Sequence, residues 1–216
     1  MANSCAWENL PEGGEKPPFI VEVTMRMGGD MSPDLFYYIV FNLSGEADKK
    51  PRSIITGPDR GKFWTVYYMW GTPKFQPTDL YRGFGGQPNE DTNLVDKPPV
   101  KSSFLNELLP GTVIEGNQMT LKIDLTEIQN AISNINLNMI VCDQAIDAES
   151  QLYYQFDPIV WDSFYGNGLT INLKSTTEDF YSENDTRYQM ERIPNENEDI
   201  ALPKANIVYW EVLVIT

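Results

Sequence analysis

The sequence predicts an all-β protein: a single antiparallel β-sandwich, jelly-roll or immunoglobulin-like, with long loops and at most one short helix. Three observations predict it. Short segments rich in β-branched and aromatic residues recur along the whole chain; clusters of glycine, proline and asparagine separate them; and a helical pattern is found once, over about two turns. At 216 residues the chain fits one core, because β-sandwiches run past about 200 residues as a single unit.

The first 17 residues, with the run PEGGEKP, read as a flexible N-terminal segment, which leaves 18–216 for the sandwich domain. Period-two reading then gives strands over 19–27, 35–42, 52–56, 62–70, 111–116, 118–125, 135–143, 151–157, 168–173 and 205–216. The separators GGDMSPD, GPDRG, GTPKFQP, EGNQ and YGNG supply the residues that reverse a chain. The helical segment is 126–133, TEIQNAIS, with Thr126 as its cap. Two long irregular stretches, 71–103 and 174–204, interrupt the pattern, and stretches of that length in a compact domain usually carry function or move.

Composition excludes several classes of chemistry. Histidine is absent, which removes Ser-His-Asp and Cys-His catalysis and histidine-ligated zinc or haem. The two cysteines, Cys5 and Cys142, cannot form a three- or four-thiolate metal site. One disulfide between them is the alternative to free thiols, but Cys5 lies in a loose segment, and Cys142, in the apolar run INLNMIVCD, is expected to behave as a small buried hydrophobe. The net charge of −15 opposes nucleic acid and anionic lipid, whose affinity comes from Lys and Arg releasing counterions. The longest apolar stretch, IVYWEVLVIT, is short for a membrane span and carries Glu211.

The residues 62–70, KFWTVYYMW, raise the sharpest question. Strict alternation puts Trp64, Val66, Tyr68 and Trp70 on one face and Phe63, Thr65, Tyr67 and Met69 on the other, and both faces are apolar. The same holds for 35–42, and for the last strand, where Val208, Trp210, Val212 and Val214 oppose Ile207, Tyr209, Leu213 and Ile215 with Glu211 interrupting. Such strands are either covered twice or face a groove on one side. Tryptophan and tyrosine have polar tips suited to a wet boundary, so a ligand platform is expected from Trp64, Tyr68 and Trp70, with Tyr81 and Phe84 of the loop YRGFGG closing over it and Arg82 as the nearby cation. The competing expectation is that these rings are core.

Acidic loops offer a second kind of site. QPNEDTNLVD gathers Asn89, Asp91 and Asp96, oxygen ligands of the kind calcium takes, although neither it nor PNENEDI has EF-hand spacing. Carboxylates that follow or flank apolar runs, Asp143, Asp147, Glu149, Asp157 and Asp162, could be drawn together as glycosidases require, but any acidic chain offers such pairs, and the sequence is read as non-enzymatic. No cofactor is expected beyond a structural Ca²⁺.

DMSPDLFYYIVFNLSG, the strand KFWTVYYMWG after a GP turn, and the closing ALPKANIVYWEVLVIT together resemble a family of uncharacterised secreted bacterial lipoproteins. That family is similar in architecture to DOMON and carbohydrate-binding β-sandwiches. The resemblance implies an extracytoplasmic, bacterial, cell-surface or secreted module that binds a glycan or another extracellular ligand. It also implies lipid anchoring through Cys5, which follows a small residue and precedes the flexible segment. Haem-type members use methionine and histidine ligands, and this chain departs from them by lacking histidine. The alternative expectation is a structural or adhesive subunit, in which the N-terminal segment or the apolar last strand pairs with another copy.

Overall fold

The computed structural model describes residues 18–33, 35–53, 63–71, 80–84, 100–101, 111–126, 132–142, 160–164, 168–173, 179–182, 190–192 and 203–215. Thirteen strands follow in chain order: β1 (Ile20–Met27), β2 (Phe36–Asn42), β3 (Val66–Trp70), β4 (Leu80–Phe84), β5 (Val100–Lys101), β6 (Val113–Glu115), β7 (Gln118–Asp124), β8 (Asn134–Cys142), β9 (Val160–Phe164), β10 (Leu169–Asn172), β11 (Asp179–Ser182), β12 (Met190–Arg192) and β13 (Ile207–Ile215). A 3₁₀ turn, Pro203–Ala205, precedes β13. The expected β-sandwich is the fold observed. Two antiparallel sheets pack face to face, one ordered β11-β13-β1-β7-β6 and the other β12-β9-β8-β2-β3-β4-β5, with β10 also paired to β8.

Alternation explains the core between them. From β1 come Val21, Val23, Met25 and Met27; from β7, Met119, Leu121 and Ile123; from β13, Trp210, Val212 and Val214. The second sheet answers with Tyr37, Ile39 and Phe41, with Val66 and Tyr68, and with Ile135, Leu137, Met139 and Val141. These side chains recur every second residue because successive Cβ atoms leave a strand on opposite sides.

Two strands depart from strict alternation, and the cause is the same in each. Phe63 has a positive φ of 65°, and the Thr65 amide donates to Phe41 O at 2.9 Å while Val66 is also Phe41's register partner. One extra residue is therefore accommodated before Val66, and a single extra residue inverts the parity of what precedes it. Trp64 accordingly lies with Tyr67 and Met69. It does not lie with Tyr68 and Trp70, as simple alternation predicts. In β13 the register shifts between Tyr209, opposite Arg26, and Ile207, opposite Met27. Ile207 thus joins the core at 5% exposure, and Val208, expected beside Trp210, turns outward at 47%.

The outer face of the larger sheet forms a second apolar layer. Phe36, Tyr38, Val40, Trp64, Tyr67, Met69, Ile140 and Cys142 are all buried there, which answers the expectation that β2 and β3 are covered on both sides. Part of the cover is the segment 43–53, tied down by side-chain amides that rise from the same sheet. Asn136 Nδ2 donates to Glu46 O at 2.7 Å and to Lys49 O at 2.9 Å, and Asn138 Nδ2 donates to Pro51 O at 2.8 Å. The Trp64 indole N–H donates to Arg52 O at 2.7 Å. Satisfied amides of this kind let an irregular segment lie over a sheet without stranding its carbonyls.

Two glycines mark close approaches. A Cβ on Gly71 would stand 1.9 Å from Leu35 O, and one on Gly168 would stand 2.4 Å from Leu137 O; both residues have positive φ, 97° and 58°. Gly168 sits where β9 gives way to β10. While β8 advances three residues from Ile140 to Leu137, its partner advances six, from Ser163 to Leu169.

Several expected boundaries change. The segments 71–103 and 174–204 hold β4, β5, β11 and β12, so neither is irregular throughout. The strand expected over 52–56 is not formed at 52–53, and the rest of it lies outside the described residues, as do the strand over 151–157, the middle of the helix over 126–133 and residues 1–17. Residues 132–133 are not helical. β13 is internal: Glu211–Val214 pair with β1 on one side and β11 on the other, so the strand expected to reach a neighbouring copy has both edges occupied within the chain over those residues. Among the described residues, no helix is long and apolar enough to cross a membrane.

Candidate functional site

The aromatic strand is core. Trp64 is 0% exposed and Tyr68 is 1% exposed, on opposite faces of the sheet, so they cannot share a platform. Trp64, Tyr38 and Tyr67 form a closed ring cluster, with centroids 5.6 Å, 5.8 Å and 5.6 Å apart. Tyr68 meets Phe41 edge-on at 6.2 Å inside the sandwich. Trp70 alone of the three keeps some exposure; it packs against the core and tilts against Tyr37 at 5.6 Å. Tyr37 is itself fully buried and donates its hydroxyl to Lys204 O at 2.8 Å.

Tyr81, Arg82 and Phe84 belong to β4, at the register positions of Met69, Tyr68 and Val66. A strand hydrogen-bonded beside β3 extends the sheet in its own plane, which is why the expected loop closing over β3 is not formed there; the side chains of these three residues lie outside the described structure. Asn89, Asp91, Asp96 and Cys5 also lie outside the described residues, as do Asp143, Asp147, Glu149 and Asp157. Asp162 is placed by its backbone alone, opposite Val141. Among the described residues, no three His, Cys, Asp or Glu side chains are close enough to hold a metal ion.

The surface that the described residues build best is the outer face of the five-stranded sheet. Cross-strand register arranges it in rows. Tyr209, Arg26, Gln118 and Glu115 make the first; Ser182, Glu211, Thr24, Thr120 and Val113 make the second. Leu213, Glu22 and Lys122 form the third, and Ile215, Ile20 and Asp124 the fourth. Four spacings of about 4.8 Å make the second row about 19 Å long.

Within these rows the polar groups are held by one another. The Arg26 guanidinium lies over the Tyr209 ring, 4.8 Å from its centroid. Its Nε and Nη2 donate to Gln118 Oε1 at 3.4 Å and 3.3 Å. Gln118 Nε2 donates to Thr120 Oγ1 at 3.0 Å, and the Thr120 and Thr24 hydroxyls are 3.0 Å apart. The Tyr209 hydroxyl donates to Glu211 Oε2. Lys122 Nζ and Glu22 Oε2 pair across the strands at 3.6 Å, each side chain about a quarter exposed, a contact of about 0.2–1 kcal/mol. This lattice presents carboxylates, a guanidinium, an amide and the Tyr209 hydroxyl, while the Thr24 and Thr120 hydroxyls within it are buried, at 4% and 7% exposure. Its sequence signal is the polar half of the alternation in three strands: Glu22, Thr24 and Arg26 in β1, Gln118, Thr120, Lys122 and Asp124 in β7, Tyr209 and Glu211 in β13.

The chain matches no family model, no curated protein and no solved structure.

Proposed function

We propose that the chain is a non-catalytic, extracytoplasmic binding module, and that its ligand is a glycan held on the outer face of the five-stranded sheet. The observation that carries this reading is the lattice around Tyr209. A hydrogen-bonded array of Arg26, Gln118, Tyr209 and Glu211, tied to the buried Thr24 and Thr120 hydroxyls, offers both donors and acceptors, which is what a polyhydroxylated ligand requires. The rigid sandwich behind it holds these groups in place before binding, so little side-chain entropy is lost when a ligand settles. The net charge of −15 favours a ligand that is not a polyanion. Export, and anchoring through Cys5, belong to the same proposal and are supported by the resemblance of three sequence segments.

The test is a glycan array probed with the wild-type chain, Tyr209→Ala, Glu211→Gln and Trp70→Ala. Binding that is lost in Tyr209→Ala and Glu211→Gln, with melting temperatures preserved, is the expected result. An array with no hit, or hits indifferent to both substitutions, would remove the reading. Labelling of the chain by a radioactive fatty acid in a bacterial host, abolished by Cys5→Ala, is the expected sign of the anchor, and an unlabelled chain would dispose of it.

A further inference from the structure

Arg26 stands out on this face because its geometry is constrained from two directions. Its guanidinium carbon lies over the Tyr209 ring, and Gln118 Oε1 accepts from the Nε–Nη2 edge. Arg26 is exposed, and among the described residues the remaining Nη1–Nη2 edge has no acceptor. A guanidinium held over a ring and by an amide oxygen, with one free edge, presents two parallel N–H donors in a fork, the arrangement that matches a carboxylate bidentately.

The surroundings restrict what may bring that carboxylate. Glu115 follows in the same row, and Glu211 lies in the next row with its Oε2 taken by the Tyr209 hydroxyl. Glu211, held by Tyr209, and the exposed Glu115, two strands from Arg26, repel a second anionic group on the ligand, and the net charge of the chain adds to that repulsion. The same carboxylates accept hydrogen bonds from neutral hydroxyls. We infer that the outward edge of Arg26 recognises a single carboxylate, and that the ligand is a glycan carrying an isolated uronic acid among neutral sugars. This rests on the glycan reading of the sheet face. Gln118 acts as a positioning residue, through Arg26.

The experiment titrates the full chain with cellobiouronic acid and with cellobiose, following arginine side-chain resonances by NMR. Wild-type protein is expected to bind the acid at least tenfold more tightly, with the largest shift on Arg26. Arg26→Lys keeps the charge and removes the fork; it should lose about tenfold toward the acid and so abolish the preference for the acid over cellobiose. Gln118→Met should reduce the preference for the acid over cellobiose about threefold, and both variants should melt close to wild type, as surface substitutions do. Equal binding of the two sugars, or an Arg26→Lys variant that still prefers the acid, would overturn the inference and leave the glycan reading standing. Binding of neither sugar, together with a blank array, would overturn both. A short peptide bound through its C-terminal carboxylate, with no sugar bound, would do the same.

Discussion

Replacing Trp64 by alanine is expected to damage the fold rather than a binding site. The side chain is 0% exposed, has Tyr38 and Tyr67 each at 5.6 Å, and gives its indole N–H to Arg52 O. Truncating a buried tryptophan costs about 3–5 kcal/mol through lost transfer energy and the cavity left behind. Against a typical total stability of about 5–15 kcal/mol that is a large fraction. For a domain of this size it corresponds to a fall in melting temperature of roughly 6–20 °C, at about 2–4 °C per kcal/mol. Trp64→Phe keeps a ring but strands the Arg52 carbonyl, and about 1–3 kcal/mol is expected for it. Urea unfolding followed by circular dichroism, which does not depend on the deleted fluorophore, measures both, and a constant m-value would show that the unfolded states are comparable. A Trp64→Ala protein within about 1 kcal/mol of wild type would refute the assignment of this ring to a core, and would return the aromatic strand to consideration as a ligand platform.

Gly71→Ala should fail to fold or accumulate poorly, because the new Cβ would stand 1.9 Å from the Leu35 carbonyl oxygen at a φ of 97°; a soluble variant with wild-type melting would contradict the crossing of β3 and the entry to β2. Asn138→Ala removes the donor to Pro51 O and should cost about 1–3 kcal/mol. It should also speed hydrogen exchange across 44–52, and unchanged protection there would mean that the amides do not hold the segment. Burial lowers the Lys50 ammonium below the ordinary lysine value, so the unfolded chain binds more protons than the folded one between the two values, and stability should rise with pH through that window. Lys50→Met should remove that portion of the alkaline rise, and identical pH profiles would argue against it.

Period-two reading located the long strands closely, and two short ones, β6 and β10, as well. β1, β2, β7, β8 and β13 lie within a residue or two of their expected bounds, because each carries enough β-branched and apolar residues to outweigh neighbouring turns. β4, β5, β9, β11 and β12 escaped it. They are two to five residues long, β4 holds a glycine, and β9, β11 and β12 contain charges; short, charged strands are also how sheet edges are protected from pairing with other chains. Of the expected platform, Trp70 keeps surface, Trp64 and Tyr68 are buried, and Tyr81, Arg82 and Phe84 are strand residues. The polar face around Tyr209 was legible as alternating residues in three separate segments, but nothing local says that those segments are neighbours. Pairing of β1 with β13 joins residues nearly 200 positions apart in sequence, and that alone brings Arg26 over Tyr209.

Read alone, the sequence determined the fold class, the absence of histidine chemistry, the acidic surface and which segments are apolar enough to be strands, since composition and period follow directly from residue type. Tertiary structure alone decided which face each ring takes and what covers it. Side-chain parity survives only as far as the next extra residue: at Phe63–Val66 and at Val208 one such residue inverts it, and the energy that tolerates each insertion comes from partners distant in the chain, Phe41 in the first case and the end of β1 in the second.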